Sequence, residues 1–258
     1  MHLSVSRLIH SKKTEAILEQ MAEGIRKYFR VELEGMEHIP QKGKVLLIAN
    51  HSGFVGADAV MICHMIHHEM SRIPKILAHR AYFESFKLLK KVSKAFGLEE
   101  ASVDNAVRLL QKKGMVLIFP EGEAGNFKST AQRYHLQKFH TGFMRMAVLA
   151  QAPVIPCLVI GAEESNINLG NIDLNKYVKG LRIPIPANFV PLPAKWRIKF
   201  LEPIDLSQYT PEQADDRELM TRLSRKIQRK MQIELRNEVR KRSYVYFPVV
   251  ENSPLAKF

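Results

Sequence analysis

The sequence predicts an α/β fold: a mostly parallel central sheet flanked by helices, an active site at the carboxyl edge of the strands, and a long C-terminal amphipathic helix. Three observations carry this. The short apolar runs Val45–Ala49 (VLLIA), Val116–Phe119 (VLIF) and Val154–Ile160 (VIPCLVI) read as strands buried on both faces, the pattern of a parallel sheet. Amphipathic helical stretches separate them, as right-handed crossovers require. Beyond Pro211, Leu219, Leu223, Ile227, Met231, Leu235 and Val239 recur at helical spacing.

Taken in order, Thr14–Tyr28 reads as an amphipathic helix with an apolar stripe of Ile17, Leu18, Met21, Ile25 and Tyr28–Phe29. A short strand, Val31–Glu34, and a turn at residues 38–43 lead into Val45–Ala49. Ala57–His68 is a helix, Lys75–Ala78 a strand, and Phe83–Phe96 a basic amphipathic helix. Ser102–Lys112 is a helix with Val103, Ala106, Val107 and Leu110 in register. Pro120 ends the Val116–Phe119 strand because it has no backbone donor for the next ladder bond. Asn126–Gln137 reads as a polar, irregular loop and Phe139–Ala150 as a helix. Ile183–Pro193 (IPIPANFVPLP) carries prolines among large apolar residues and is neither helix nor central strand. Trp196–Leu201 reads as a strand, and Pro211 opens a helix reaching about Arg242. One domain, 1–258, accounts for the chain: an N-terminal amphipathic helix within 1–30, a catalytic core over 31–205 and a basic helix over 211–242.

Hydrophobic content of 46% and charged content of 25% are ordinary for a globular protein. A formal net charge of +13 is not, and it favours anionic partners. Nucleic acid is disfavoured: there is no zinc-finger spacing, RNA-recognition aromatic motif or basic zipper, and the cations spread over several helices. The N-terminus lacks the apolar run of a signal peptide, and no stretch approaches the roughly 20 apolar residues of a spanning helix. Cys63 and Cys157 read as reduced, buried thiols, which suits a cytoplasmic compartment. The C-terminal helix carries a basic face, either simply solvated or attached to anionic lipid. Ile183–Pro193 either inserts into that interface or covers the core.

Two strand ends carry the candidate chemistry. Asn50-His51-Ser52-Gly53 follows Val45–Ala49, and Glu121-Gly122 follows Phe119-Pro120. In an open α/β sheet, ligands bind at that edge. His51 suits a general base, and Asp58 suits the carboxylate that fixes its tautomer. Ser52 is adjacent to His51, so the two side chains are expected to diverge, and no G-x-S-x-G elbow is present. A His–Asp pair without its serine suggests that a substrate hydroxyl takes the serine's place, in direct acyl transfer to an alcohol. The alternative stays open: Asp58 serves a helix first turn and His51 is a capping or buried polar residue. His64, His67, His68 and Glu69 have helical spacing that suits a metal, but no second ligand cluster accompanies them, so no metal is expected. His135 and His140 flank the polar loop and are candidates to border the site, with solvent exposure the simpler account.

NHSGFVGAD (Asn50–Asp58), FPEG (Phe119–Gly122) and APVIPCLVIGAEE (Ala152–Glu164), in that order, resemble the glycerolipid O-acyltransferase superfamily, the lysophosphatidate acyltransferase group. The similarity runs from about Val31 to Pro203. It implies that His51 deprotonates an acceptor hydroxyl and Asp58 orients it. The donor would be an acyl thioester on coenzyme A or acyl carrier protein, with no other cofactor. It further implies that Asn50, Ser52, Gly53, Phe119, Pro120, Glu121 and Gly122 shape the substrate site, and that Ile155 and Pro156 line a pocket. The long His51–Asp58 spacing resembles the mono- and diacylglycerol acyltransferase branch. The arginine usual two residues after the FPEG glycine, a bidentate phosphate contact, is Ala124 here. Lys128, Arg133 and Lys138 are candidate substitutes, each equally readable as a loop charge, and Arg80 is a further candidate anion contact, more simply read as a surface arginine. The implied reaction is acyl transfer to a lysophospholipid or glycerolipid by a cytoplasmic protein peripheral on an anionic membrane. A non-phosphorylated lipid alcohol as acceptor, or a degenerate lipid-binding module, are the alternatives.

Overall fold

The computed structural model describes residues 12–52, 56–78, 97–173 and 182–247. The helix expected over Phe83–Phe96, and with it Arg80, lies outside them, as does Gly53. Strands β1 (Glu32–Glu34), β2 (Val45–Ala49), β3 (Lys75–Ala78), β4 (Leu98–Glu100), β5 (Met115–Ile118), β6 (Val154–Ile160) and β9 (Arg197–Phe200) form one sheet, in the order β1-β9-β6-β2-β5-β3-β4. Strands β7 (Asn168–Asp173) and β8 (Arg182–Pro186) form a separate antiparallel pair. The helices are α1 (Lys12–Tyr28), α2 (Ala57–Met70), α3 (Val103–Gln111), α4 (Glu123–Asn126), α5 (Gly142–Ala150), α6 (Ala162–Ser165) and α7 (Arg217–Arg240).

Strand β2 is central, paired in parallel with β5 on one side and β6 on the other. All five of its residues are buried, as expected when both faces are covered. Leu46 and Ile48 pack in the layer of α3, α5 and α7; Val45, Leu47 and Ala49 pack with α1 and α2. The pleat thus divides one apolar run between two cores. The α7 stripe from Leu219 to Leu235 is buried in the first of these, with Val239 packed at its edge.

Five strands, β6, β2, β5, β3 and β4, run parallel. Strand β9 is antiparallel to β6, and β1 follows β9. Among the described residues, the chain between β6 and β9 forms α6 and the antiparallel β7–β8 pair, and it re-enters the sheet from the end it left. Gly161 makes that exit possible. It has φ of +96°, and a Cβ there would lie 2.1 Å from the Lys195 carbonyl oxygen.

Several boundaries differ from the sequence reading. Strand β5 ends at Ile118, leaving Phe119 and Pro120 in the turn. Strands β4 and β7 were not predicted: Leu98-Glu99-Glu100 and Asn168–Asp173 lack an apolar run. Pro211 opens a 3-10 turn, Pro211–Asp215, and not the long helix itself. Asp216 breaks the chain there and caps α7, accepting from the Glu218 and Leu219 amides at 3.0 and 2.9 Å. In α1 and the residue after it, the expected stripe holds at Ile25 and Phe29, which pack into the core, and fails at Met21 and Tyr28, which are exposed. Met21 is 60% exposed, while Ala22 and the following Phe29 are buried, and Phe29 stacks on Trp196 with centroids 4.3 Å apart. Ile183–Pro193 does not cover the core, since Phe189 and Val190 point outward. Both cysteines are free thiols, Cys157 buried and Cys63 partly so.

Candidate active site

The sheet brings three strand ends to one edge: Asn50–Ser52 after β2, Phe119–Gly122 after β5 and Gly161–Glu164 after β6. His51 is the most exposed of the reactive groups there, its side chain 16% accessible. Its Nδ1 lies 2.7 Å from Asp58 Oδ2, and its ring stacks on Phe119 with centroids 4.2 Å apart. With Nδ1 occupied by the carboxylate, Nε2 is the nitrogen left to exchange a proton with a substrate.

Asp58 is fully buried in the first turn of α2. Burial works against its charge. The His51 charge and hydrogen bond, together with donation from the Ser52 and Ala59 amides, outweigh it and hold the carboxyl below the usual range. The Ser52 hydroxyl also donates to Oδ2, at 3.0 Å. The divergence expected of His51 and Ser52 is therefore wrong. The backbone turns so that both neighbours converge on one carboxylate oxygen, and Ser52 is a second support for Asp58.

Glu121, also fully buried, does not face an open site. Its Oε1 accepts from the His51 amide at 3.0 Å and its Oε2 from the Gln137 amide at 2.6 Å. One carboxylate thus ties the strand end that carries His51 to the loop after β5. Gly125 passes directly over it: a Cβ there would sit 2.5 Å from Glu121 Cβ.

Lys128 completes the arrangement from below. Its Nζ lies 2.9 Å from Glu163 Oε1 and 3.5 Å from Glu121 Oε2, all three side chains being buried. The second Glu163 oxygen accepts from the Tyr134 amide at 2.9 Å. Burial raises the Glu163 carboxyl above its usual range, and the nearby Glu121 charge adds to this against the lowering pull of Lys128. The Tyr134 hydroxyl donates to Glu164 Oε2 at 2.7 Å and accepts from the Gly161 amide at 2.8 Å. Arg242 closes the chain with a two-pronged pair to Glu164. From α7, Gln228 and Gln232 bond the backbone of Tyr134, Leu136, Gln137 and Phe139.

The stretch read as a polar, irregular loop is therefore an anchored strap, with Lys128, Tyr134 and Leu136 buried. Of the residues expected to contact substrate, the structure gathers His51, Asp58, Ser52, Phe119, Pro120, Glu121 and Gly122. Lys128 is not available to an anion, because two buried carboxylates hold its charge. Arg133 and Lys138 are exposed on the loop. Asn50 is buried and faces β6, its amide bonding Val159 N and O at 2.8 and 3.0 Å, so it extends the sheet pairing. Ile155 and Pro156 pair with Leu47 and Ile48 in the sheet interior, short of the edge. His140 is exposed, yet its ring lies 3.4 Å from where a Gly122 Cβ would stand, so it borders the turn after β5. Among the described residues no group of three or more His, Cys, Asp or Glu is arranged to hold a metal ion. Sequence reading missed Glu163, Glu164, Tyr134, Gln228 and Gln232. The one available signal was the Glu163-Glu164 pair directly after a strand buried on both faces.

The model of the Acyltransferase family matches residues 30–160, and the chain belongs to that family. An uncharacterized protein of Mycobacterium tuberculosis is 36% identical over 203 residues, covering 74% of this chain and 56% of its own. A Bos taurus protein named "DGAT1/2-independent enzyme synthesizing storage lipids" is 26% identical over 176 residues, 67% of this chain and 52% of its own. The chain thus spans about half the length of these relatives. The crystal structure of the 1-acyl-sn-glycerophosphate acyltransferase PlsC from Thermotoga maritima shares the fold. Its TM-score is 0.58 at 17% identity, over 92% of this chain and 86% of that one.

Proposed function

We propose that the chain is an O-acyltransferase that moves a fatty acyl group from an acyl thioester, carried by coenzyme A or acyl carrier protein, to the hydroxyl of a lysophospholipid or related glycerolipid. The observation that carries the reading is the His51 Nδ1–Asp58 Oδ2 contact at 2.7 Å, which leaves Nε2 to act. His51 Nε2 takes the acceptor's hydroxyl proton as that oxygen attacks the thioester carbonyl. The tetrahedral intermediate collapses with cleavage of the carbon–sulfur bond, and the imidazolium returns the proton to the departing thiolate. Asp58 holds the tautomer and offsets the imidazolium charge. No acyl-enzyme forms, since the neighbouring Ser52 hydroxyl is engaged with Asp58.

A second reading, acceptance of a non-phosphorylated lipid alcohol, has its own support. Ala124 leaves the usual arginine position without a cation, and Lys128 is committed to Glu121 and Glu163. The name of the bovine relative, which refers to storage lipids, points the same way. A lipid acceptor and the +13 charge favour a protein peripheral on an anionic membrane, and two free thiols fit the cytoplasm.

The test incubates the protein with acyl-CoA or acyl carrier protein donors and a panel of lysophospholipids and neutral lipid alcohols. Mass spectrometry scores products for the native chain and for His51→Ala. Product from the native chain alone establishes the transferase, and the acceptor profile separates the two readings. Equal product from both forms removes His51 as base. Lipid binding by both forms with no product from either replaces the enzyme with a binding module.

A further inference from the structure

The β7–β8 hairpin and the turn after it present apolar side chains to solvent on an ordered frame. Phe189 is 83% exposed, Val190 75% and Leu169 69%. Phe247 is 67% exposed and lies against Arg30, whose guanidinium also bonds the Pro193 carbonyl. The turn after β8 is built where the pair leaves α6: the Asn188 side chain accepts from the Ile167 amide at 2.7 Å and donates to the Ser165 and Val190 carbonyls at 3.0 and 2.8 Å. Those bonds hold Phe189-Val190 outward at a cost in exposed apolar surface that a monomer in water does not need.

This prong is rooted in the active-site strap. Asn168 and Asn171 donate to the Phe127 and Lys128 carbonyls, and Thr130 Oγ1 accepts from the Asn168 amide at 2.8 Å. The other end of the strap, residues 134–139, is held by Gln228 and Gln232 of α7. At about 100° per residue, Arg225, Arg229 and Arg236 lie within a quarter turn of Gln232, and all three are exposed. One strap therefore carries an apolar prong at one end and borders a cationic stripe at the other.

We propose that this prong and stripe are a membrane-docking surface for an anionic bilayer, with Phe189 and Val190 inserted below the headgroups and the α7 arginines on them. The inference rests on the acyltransferase reading only in naming why docking is useful: it sets the site edge at the depth of a lipid hydroxyl. Charge selects the partner. A second copy of this chain carries the same +13 and would bring like charges together. An acidic carrier protein would meet the stripe and leave the prong in water. An anionic bilayer satisfies both.

The experiment is sedimentation of the full chain with phosphatidylcholine vesicles, with and without phosphatidylglycerol, for the native protein, Phe189→Ser/Val190→Ser, Arg225→Gln/Arg229→Gln and His51→Ala. Native protein and His51→Ala should bind the anionic vesicles alike, whatever becomes of the catalytic reading. The prong variant should lose about tenfold or more in partitioning, with unchanged melting temperature and elution volume. The arginine variant should weaken binding and flatten its salt dependence. Three results overturn the proposal: native protein that binds neither vesicle, a prong variant that binds as the native chain does, or a prong variant that instead changes oligomeric state.

Discussion

Two buried carboxylates at the same edge, Asp58 and Glu163, are shifted in opposite directions. Asp58 is wholly enclosed yet held low; Glu163, nearly as enclosed, is pushed high. The difference lies in the partners. Asp58 collects an imidazole, a hydroxyl and two backbone amides for itself. Glu163 shares one ammonium with Glu121, whose own charge opposes it. The first arrangement keeps a charge ready beside the histidine proposed as the base. The second is a structural clasp, in which two carboxylates and one lysine hold the strap against the sheet.

The largest effect should come from the catalytic side. His51→Ala is expected to lower acyl transfer by about 10³-fold or more while the melting temperature stays near native, and steady-state kinetics beside a thermal melt checks both. Asp58→Asn should lower kcat by about 10²-fold or more, because the remaining amide no longer fixes the imidazole. If the two carboxylates were equivalent, Glu163→Gln would cost as much activity, and a matched assay would reveal it.

On the clasp side, Lys128→Met should destabilise the fold by about 3–5 kcal/mol in chemical denaturation, since it leaves two buried carboxylates without their cation. Adding Glu163→Gln to that variant should restore a large part of the loss, and additive losses would show that the three groups are not coupled. Next in size, Gly125→Ala drives a methyl into the Glu121 side chain and should cost about 1–3 kcal/mol. It should also lower kcat, through the bond from Glu121 to the His51 amide.

The smallest effect is the pH dependence. Asp58 has a lowered folded value, so its stabilisation is present above the ordinary carboxylate range and lost as pH falls through that lowered value. Glu163 is raised, so its favourable contribution is complete at acid pH and lost as pH rises through its folded value. Thermal melts from pH 3 to 7 should therefore show Asp58→Asn flattening the acid loss, and Glu163→Gln gaining on the native chain toward neutral pH. Parallel curves for the two variants would contradict the assigned directions.

The catalytic side was legible because its parts are close in sequence and tied to strand ends. A run buried on both faces locates the end of β2, and a carboxylate in a first helical turn, seven residues after His51, can reach back to it. The clasp was not legible. Lys128, Tyr134, Glu163, Glu164 and Arg242 come from segments up to 114 residues apart, counting from 128 to 242. In a linear reading, a lysine in a polar loop is a solvated charge. The convergence of Ser52 and His51 was misjudged for the same reason: alternation along an extended strand does not survive the turn that follows it.

By itself the sequence determined which runs become buried strands, which edge they deliver their loops to, and that His51, Asp58 and Glu121 meet there. Those outcomes follow from apolar periodicity and from the right-handed crossover, both local rules. Only the tertiary structure decided that Glu121 supports the His51 backbone, that Lys128 is spent on two carboxylates, and that β9 enters the sheet reversed. Each depends on which groups burial leaves together once water is excluded, a property of the packed chain and not of any stretch within it.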